Sequence, residues 1–171
     1  MGVEIERKFL LRDDSWKTEV VRSYDITQGY LSTDPARTVR IRKRGDEAFL
    51  TIKGQPQTSD GAPMVPEFEY AIPAGDADAL MALCLPGAIV KTRHIVMHDG
   101  NTWEIDVFQG DNAGLIVAEI ELASAAQAVT LPAWIGQEVT GQVRYSNAQL
   151  AQNPYKLWKN TPPPAAPGRV S

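Results

Sequence analysis

The chain holds one cysteine, Cys84, and two histidines, His94 and His98, among 171 residues. A single thiol cannot close an internal disulfide, and its setting in "ALMALCL" predicts an apolar helix position rather than a nucleophile in an electropositive pocket. The two histidines stand four apart in a stretch that reads as a strand, so they lack the helical geometry that brings such a pair onto one zinc ion. They are expected as ordinary core or surface residues. The motifs G-x-x-x-x-G-K-[ST] and G-x-S-x-G and spaced cysteine pairs are all missing, which removes P-loop, nucleophile-elbow and zinc-ribbon chemistry.

Positive charge is not in excess either. Seventeen Lys and Arg face 21 Asp and Glu, a formal net charge of -4, so neither nucleic acid nor an anionic membrane surface is an expected partner. Any anion site must be a local concentration of cations. No apolar run approaches membrane-spanning length, and no basic start followed by an apolar segment opens the chain. A cytoplasmic location is the expectation. Trp16, Trp103, Trp134 and Trp158 are scattered, as packing residues are, and do not form a stacking platform for bases.

What is present is alternation. With 43% hydrophobic residues, the chain can bury one proper core. Stretches 2–11, 24–31, 36–44, 47–54, 66–73, 88–97, 102–108 and 115–123 alternate or are rich in β-formers and predict eight strands. "RGDEA" and "HDGN" carry tight-turn signals, so neighbours should be antiparallel, and "KGQPQTSDGAP" reads as a longer mobile loop. Helical patterning is confined to "DDSWKTEVV", "GDADALMALCL", "SAAQAV" and "RYSNAQLAQ". The single domain is expected over residues 1–159, followed by a disordered proline-rich tail over 160–171.

The charged positions repeat one design. In "EIERK", Glu4, Glu6 and Lys8 alternate with Ile5 and Arg7. In "TVRIRKR", Arg40 and Arg42 alternate with Val39 and Ile41, and in "LTIKG", Lys53 shares a face with Thr51. "EFEY" supplies Glu67 and Glu69, "KTR" supplies Lys91 and Arg93, "WEIDVF" supplies Glu104 and Asp106, and "VAEIEL" supplies Glu119 and Glu121. An ordinary strand with one wet face explains any single case. It explains the set poorly, because adjacent like charges cost about 1 kcal/mol in water and several times that where water is scarce. Closing an eight-stranded antiparallel sheet into a barrel would turn these faces inward and the apolar faces outward, under the helices. The expected fold is therefore mainly β within α+β, a closed tunnel with a charged lumen and short flanking helices. Its natural guest is a linear triphosphate accompanied by Mg2+ or Mn2+: Arg and Lys suit phosphate oxygens, and paired carboxylates suit a hard divalent cation. Such a cation also gives a route to hydrolysis.

These segments, in order, resemble the CYTH family, also called triphosphate tunnel metalloenzymes. "EIERK" matches its E-x-E-x-K signature, and "VRIRKR", "TIKG", "EFEY", "KTR", "EIDVF", "AEIEL" and "EVTGQVRYSN" follow over roughly residues 2–153. The resemblance implies that Glu4, Glu6, Glu119 and Glu121 serve the metal. It implies that Lys8, Arg40, Arg42, Lys53, Lys91 and Arg93 bind phosphates, with Glu69 and Asp106 as supporting wall carboxylates. Compact members with "QGYL" look similar to inorganic tripolyphosphatases, which implies cleavage of tripolyphosphate to pyrophosphate and phosphate by a monomer or homodimer. Tyr30 has two readings, an amphipathic barrel residue or, beside Lys53 or another lumen cation, a hydroxyl that trades a proton with the attacking water. Thiamine and nucleoside triphosphates remain alternative substrates, with Arg144 a possible substitute for the C-terminal lysine of the thiamine triphosphatase branch. A class IV type adenylyl cyclase and a binding module that sequesters polyphosphate or nucleotide also remain open.

Overall fold

The computed structural model describes residues 2–59 and 62–163. Ten strands form one sheet: β1 (Gly2–Leu11), β2 (Val20–Ser32), β3 (Arg37–Arg44), β4 (Glu47–Gly54), β5 (Gln57–Ser59), β6 (Ala62–Ile72), β7 (Ile89–His98), β8 (Asn101–Phe108), β9 (Ile116–Glu121) and β10 (Ile135–Glu138). All neighbours are antiparallel, in the order β10-β1-β9-β8-β7-β2-β3-β4-β6-β5. The β1–β6 pairing, with Gly2 opposite Glu67 and Ile5 opposite Met64, joins the two sides of that series. Eight strands thus close into a barrel, as the alternation predicts, and closure removes the open edges.

Two short strands were not expected. β10 takes the rest of the β1 edge, with Phe9 opposite Glu138 and Leu11 opposite Ile135. β5 pairs with the start of β6, inside the stretch read as a loop. The second strand also starts at Val20 rather than near residue 24, because the segment read as its preceding helix is only a 3-10 turn over Ser15–Glu19.

The helices are few. α1 spans Ala74–Met81, and α2 spans Asn147–Gln152 behind a 3-10 turn over Val143–Tyr145. Ser146 caps α2, its hydroxyl accepting from the Gln149 N–H at 3.2 Å. "SAAQAV" is not a helix but an irregular crossing: six residues with no bulky apolar side chain beyond Val129 cannot offer the face that stabilises so short a helix. Cys84 likewise lies past the end of α1, partly buried, with its Sγ 3.5 Å from the Leu80 carbonyl oxygen.

Period two divides every barrel strand into two faces. Along β1, Ile5, Arg7 and Phe9 point outward and are buried. Ile5 and Phe9 join Trp16, Trp103, Trp134, Ile105 and Ile120 in the main core, under cover of the 3-10 turn and the 123–134 crossing. Three of the four tryptophans are therefore packing residues, and Trp158 packs edge-on against Tyr145 and Tyr155. α1 covers Ile41 and Ala48, and α2 helps to cover Ile89 and Phe108. The cover is incomplete: Ile52, Phe68 and Tyr70, on the outside of β4 and β6, stay exposed. Arg7 is tolerated on an apolar face because Glu138 accepts from its Nε at 3.0 Å and its Nη2 at 2.9 Å. Its guanidinium also sits over the Phe9 ring.

The expected tail begins at residue 160. The Thr161 N–H donates to the Trp158 carbonyl at 2.9 Å, and positions 164–171 lie outside the described residues. No helix among the described residues is long and apolar enough to cross a membrane.

Candidate active site

The inward faces line a cavity of about 410 Å³. Of the site residues expected from the sequence, Glu4, Glu6, Lys8, Tyr30, Arg40, Arg42, Lys53, Glu69, Lys91, Arg93, Glu119 and Glu121 all line it, along with Glu67 and Glu104. Asp106 does not reach the cavity surface. It lies behind, its carboxylate accepting from Lys91 Nζ at 2.6 Å and from Arg93 Nε and Nη2 at 2.8 and 2.9 Å. Three charge-assisted bonds therefore hold two cations from the wall side.

Strand register explains the arrangement. Lys8 stands opposite Glu119, and Glu6 opposite Glu121, across the β1–β9 pair. Lys53 stands opposite Glu67, and Thr51 opposite both Arg40 and Glu69. The resulting ion pairs are Lys53 with Glu4 at 3.0 Å, Lys8 with Glu119 at 3.6 Å, Arg40 with Glu69 at 3.5 Å and Arg93 with Glu104 at 3.0 Å. Glu119 is largely buried, whereas Glu69 and Glu121 are exposed. Thr51 bridges, accepting from Arg40 Nη2 at 3.1 Å and donating to Glu69 at 3.0 Å.

Protonation follows from crowding. Burial pushes Glu6 well above the usual carboxylate range, and Glu119 and Glu4 repel it in the same direction. Burial alone would raise Glu4 too, but Lys53 and hydrogen bonds with Glu6, Glu67 and Lys53 hold it well below that range. Burial, then bonding and repulsion from Glu4, lift Glu67 to about 7. Glu119 is also lowered: burial would raise it, but Lys8 outweighs that. Burial raises Glu121 and Glu104. Glu4 thus shares hydrogen bonds with Glu6 and Glu67, and burial favours the protonated form of both. Among the described residues, no three acidic, histidine or cysteine side chains converge as a ready-made metal cage. The donor set nevertheless fits a hard divalent cation, which takes one or two carboxylates and completes its shell with water and phosphate oxygens.

On the cationic side, burial lowers Lys91 to about 7; Asp106 opposes this, while Arg93 and Arg42 add to it. Burial, with repulsion from Arg40 and Arg93, lowers Arg42 to about 9. Lys8, Lys53 and Arg93 are desolvated as well, yet their carboxylate neighbours raise all three. The lumen is therefore a set of mutually compensated charges in which burial and cationic neighbours outweigh Asp106 at Lys91, and Arg42 is crowded by Arg40 and Arg93. An anion would satisfy them.

Pattern reading left out Arg44 and Asn147 among the lining residues, and the buried Gln28. Arg44 follows Arg40 and Arg42 at the same parity, and its guanidinium lies 5.0 and 5.2 Å from the Tyr24 and Phe49 rings; parity alone would have found it. Gln28, two before Tyr30, shares that tyrosine's face and is fully buried. Asn147 had no local signal, because α2 brings it over the lumen from a distant part of the chain. Arg144 stacks on Trp158 and Tyr145. A second chamber of about 380 Å³ shares Glu6, Lys8 and Lys53 with the first and opens past Pro56, Pro63 and Val143. His94 bonds Ser23 at 2.7 Å and His98 lies 3.3 Å from Glu19, both away from the lumen lining.

This geometry has counterparts among known proteins. An inorganic triphosphatase of Acetivibrio thermocellus is 42% identical over 160 residues, which is 93% of this chain and 99% of that one. An inorganic triphosphatase of Nitrosomonas europaea is 36% identical over 153 residues, covering 86% and 96%. The crystal structure of the inorganic triphosphatase NE1496 aligns with a TM-score of 0.61 at 35% identity, over 88% of this chain and 95% of the other. A Hippeastrum protein described as a putative adenylyl cyclase with dominant triphosphatase activity shares the fold, at a TM-score of 0.59 and 16% identity, over 71% and 80%. A CYTH domain family model matches residues 2–155, and with the closed, charge-lined barrel this makes the chain a member of the CYTH family.

Proposed function

We propose that the protein hydrolyses inorganic tripolyphosphate to pyrophosphate and phosphate with Mg2+ or Mn2+. The observation that carries this reading is the convergence of seven cationic side chains, Arg44 included, and a proton-sharing carboxylate cluster on one lumen. Lys8, Arg40, Arg42, Lys53, Lys91 and Arg93 bind the phosphate oxygens, and Glu69 and Asp106 hold Arg40, Lys91 and Arg93 in place. Glu4, Glu6, Glu119 and Glu121 would hold the divalent cation, which supplies charge neutralisation at the transferred phosphoryl group. Lys53, kept charged by Glu4, orients the chain of phosphates. The Tyr30 hydroxyl relays a proton from the attacking water to the leaving pyrophosphate oxygen, as the water oxygen bonds to phosphorus and the bond to pyrophosphate breaks. The names of both relatives support this substrate class. The protein is read as a cytoplasmic monomer or homodimer whose partner is the small triphosphate, not nucleic acid or membrane.

The second chamber favours one further reading, a triphosphate bearing an organic group, such as a nucleoside or thiamine triphosphate. Among the described residues no aromatic ring lines that chamber, so they offer a base no stacking surface, and the inorganic substrate is preferred. A phosphate-release panel over tripolyphosphate, ATP and thiamine triphosphate with each metal tests both. Loss in Glu4→Gln that added metal partly restores, and loss in Lys53→Ala, support the site. Cyclic AMP formed from ATP would replace hydrolysis with cyclisation, and tight tripolyphosphate binding without turnover would leave only a binding module.

A further inference from the structure

Two amides join the lumen cations into one network. Arg42 Nε donates to Gln28 Oε1 at 2.8 Å. Gln28 Nε2 donates to the Tyr30 hydroxyl at 3.1 Å and to Asn147 Oδ1 at 3.3 Å. Asn147 Oδ1 also accepts from Lys91 Nζ at 3.0 Å, and Lys91 continues to Asp106 and Arg93. Gln28 and Lys91 have no exposure to water.

Chemistry dictates how these amides are turned. A guanidinium and an ammonium can only donate, so Arg42 must meet the oxygen of Gln28 and Lys91 must meet the oxygen of Asn147. Gln28 therefore has only its N–H groups left for Tyr30 and Asn147. Three consequences follow. The Tyr30 oxygen is used as an acceptor, so its O–H proton is left to point elsewhere, toward the cavity that Tyr30 lines. Two of the three Lys91 N–H groups are taken, by Asp106 and Asn147, which leaves one for a guest. Arg42 is steered through Nε, leaving its outer nitrogens as a fork.

We propose that Gln28 and Asn147 are positioning residues for triphosphate hydrolysis, Gln28 setting the direction of the Tyr30 hydroxyl and the Arg42 fork, and Asn147 aiming the Lys91 ammonium. The inference rests on the assignment of the lumen as the triphosphate site. It adds that α2 completes the site, since Asn147 is its first residue.

Four variants test it, each assayed for kcat and KM with tripolyphosphate and for thermal unfolding. Gln28→Glu keeps an acceptor for Arg42 but has no N–H for Tyr30. It is expected to lower kcat about tenfold or more with KM within about threefold, the pattern of a contact used in the transition state. Gln28→Met removes both roles and should lower kcat and raise KM. Asn147→Leu should raise KM about tenfold, the worth of one bond to a charged group, and Asn147→Asp, which keeps the acceptor, should restore KM to within about threefold. A residue that only fills space would show no such split: Glu and Met at position 28 would lose activity alike and in step with stability. That outcome, or wild-type constants in Gln28→Met and Asn147→Leu, overturns the inference. A wild-type protein with no tripolyphosphate turnover overturns the substrate reading instead.

Discussion

Lys91 Nζ lies 2.6 Å from Asp106 Oδ2, and neither side chain has appreciable contact with water, at 0% and 2% exposure. A buried pair of this kind adds little net stability against an apolar replacement, but removing one member strands the other. Among the described residues Asp106 is the one carboxylate paired with Lys91, and it also accepts twice from Arg93. Asp106→Ala should therefore destabilise the protein by about 3–5 kcal/mol, which for a chain of this size is a fall on the order of 10 °C in Tm. Differential scanning calorimetry measures it; a fall of only a degree or two would mean the two cations find other partners.

Because Lys91 titrates near 7 in the free protein, it is largely neutral at pH 8 and charged at pH 6. A bound polyanion favours the charged form, so binding at pH 8 should draw up a proton, and at pH 6 it should not. Calorimetric titration of the metal-free protein with tripolyphosphate, in two buffers of different ionisation enthalpy, reads the uptake directly. Lys91→Met should reduce it, leaving the share drawn onto Glu67 and Glu6.

The acid cluster makes stability depend on pH in a stated direction. Glu67 is raised to about 7 in the folded state against an ordinary 4.5, so its ionisation costs stability above 7, and that cost is relieved as pH falls from 7 toward 4.5. Glu6 and Glu121 are raised and act in the same sense, whereas Lys91, lowered to about 7, opposes them between pH 7 and 8. Asp106 and Glu119 are depressed and contribute stability that is lost only as pH drops below the ordinary carboxylate range. Tm of the metal-free protein should be higher near pH 5.5 than at pH 8, and fall again below about 4. Mg2+ or Mn2+ should raise Tm more at pH 8, where it does not compete with protons.

Gly87 lets α2 approach the barrel. Its φ is +99°, and a Cβ there would lie 1.9 Å from the Ala151 carbonyl oxygen. Gly87→Ala must both strain the backbone and push α2 away, at a cost of about 2 kcal/mol or more. Since Asn147 opens α2, the substitution should also raise KM for tripolyphosphate, as steady-state kinetics on the folded fraction would show.

Much of the lumen was legible because alternation is local. Glu4 and Glu6, Arg40 and Arg42, and Glu119 and Glu121 share a face in any extended strand, whatever the strand later meets. The misses have a common physical origin. β10 has four residues and no strong alternation, and exists because the upper edge of β1, left free beyond Ile5, needs backbone partners. "SAAQAV" carries helix-favouring alanines, but no amphipathic face holds it.

Side-chain parity along each strand, and with it the identity of the lumen charges, was thus written in the order of residues, since a pleated backbone sends neighbours to opposite sides without outside help. Which carboxylate meets which cation was not, because Gly2–Ile5 must find Met64–Glu67 and close the ring before Glu4 can reach Lys53. Asn147 over Lys91 and Gln28 between Arg42 and Tyr30 likewise depend on contacts between segments far apart in the chain. Such contacts arise from packing and register across the whole barrel, which no local pattern encodes.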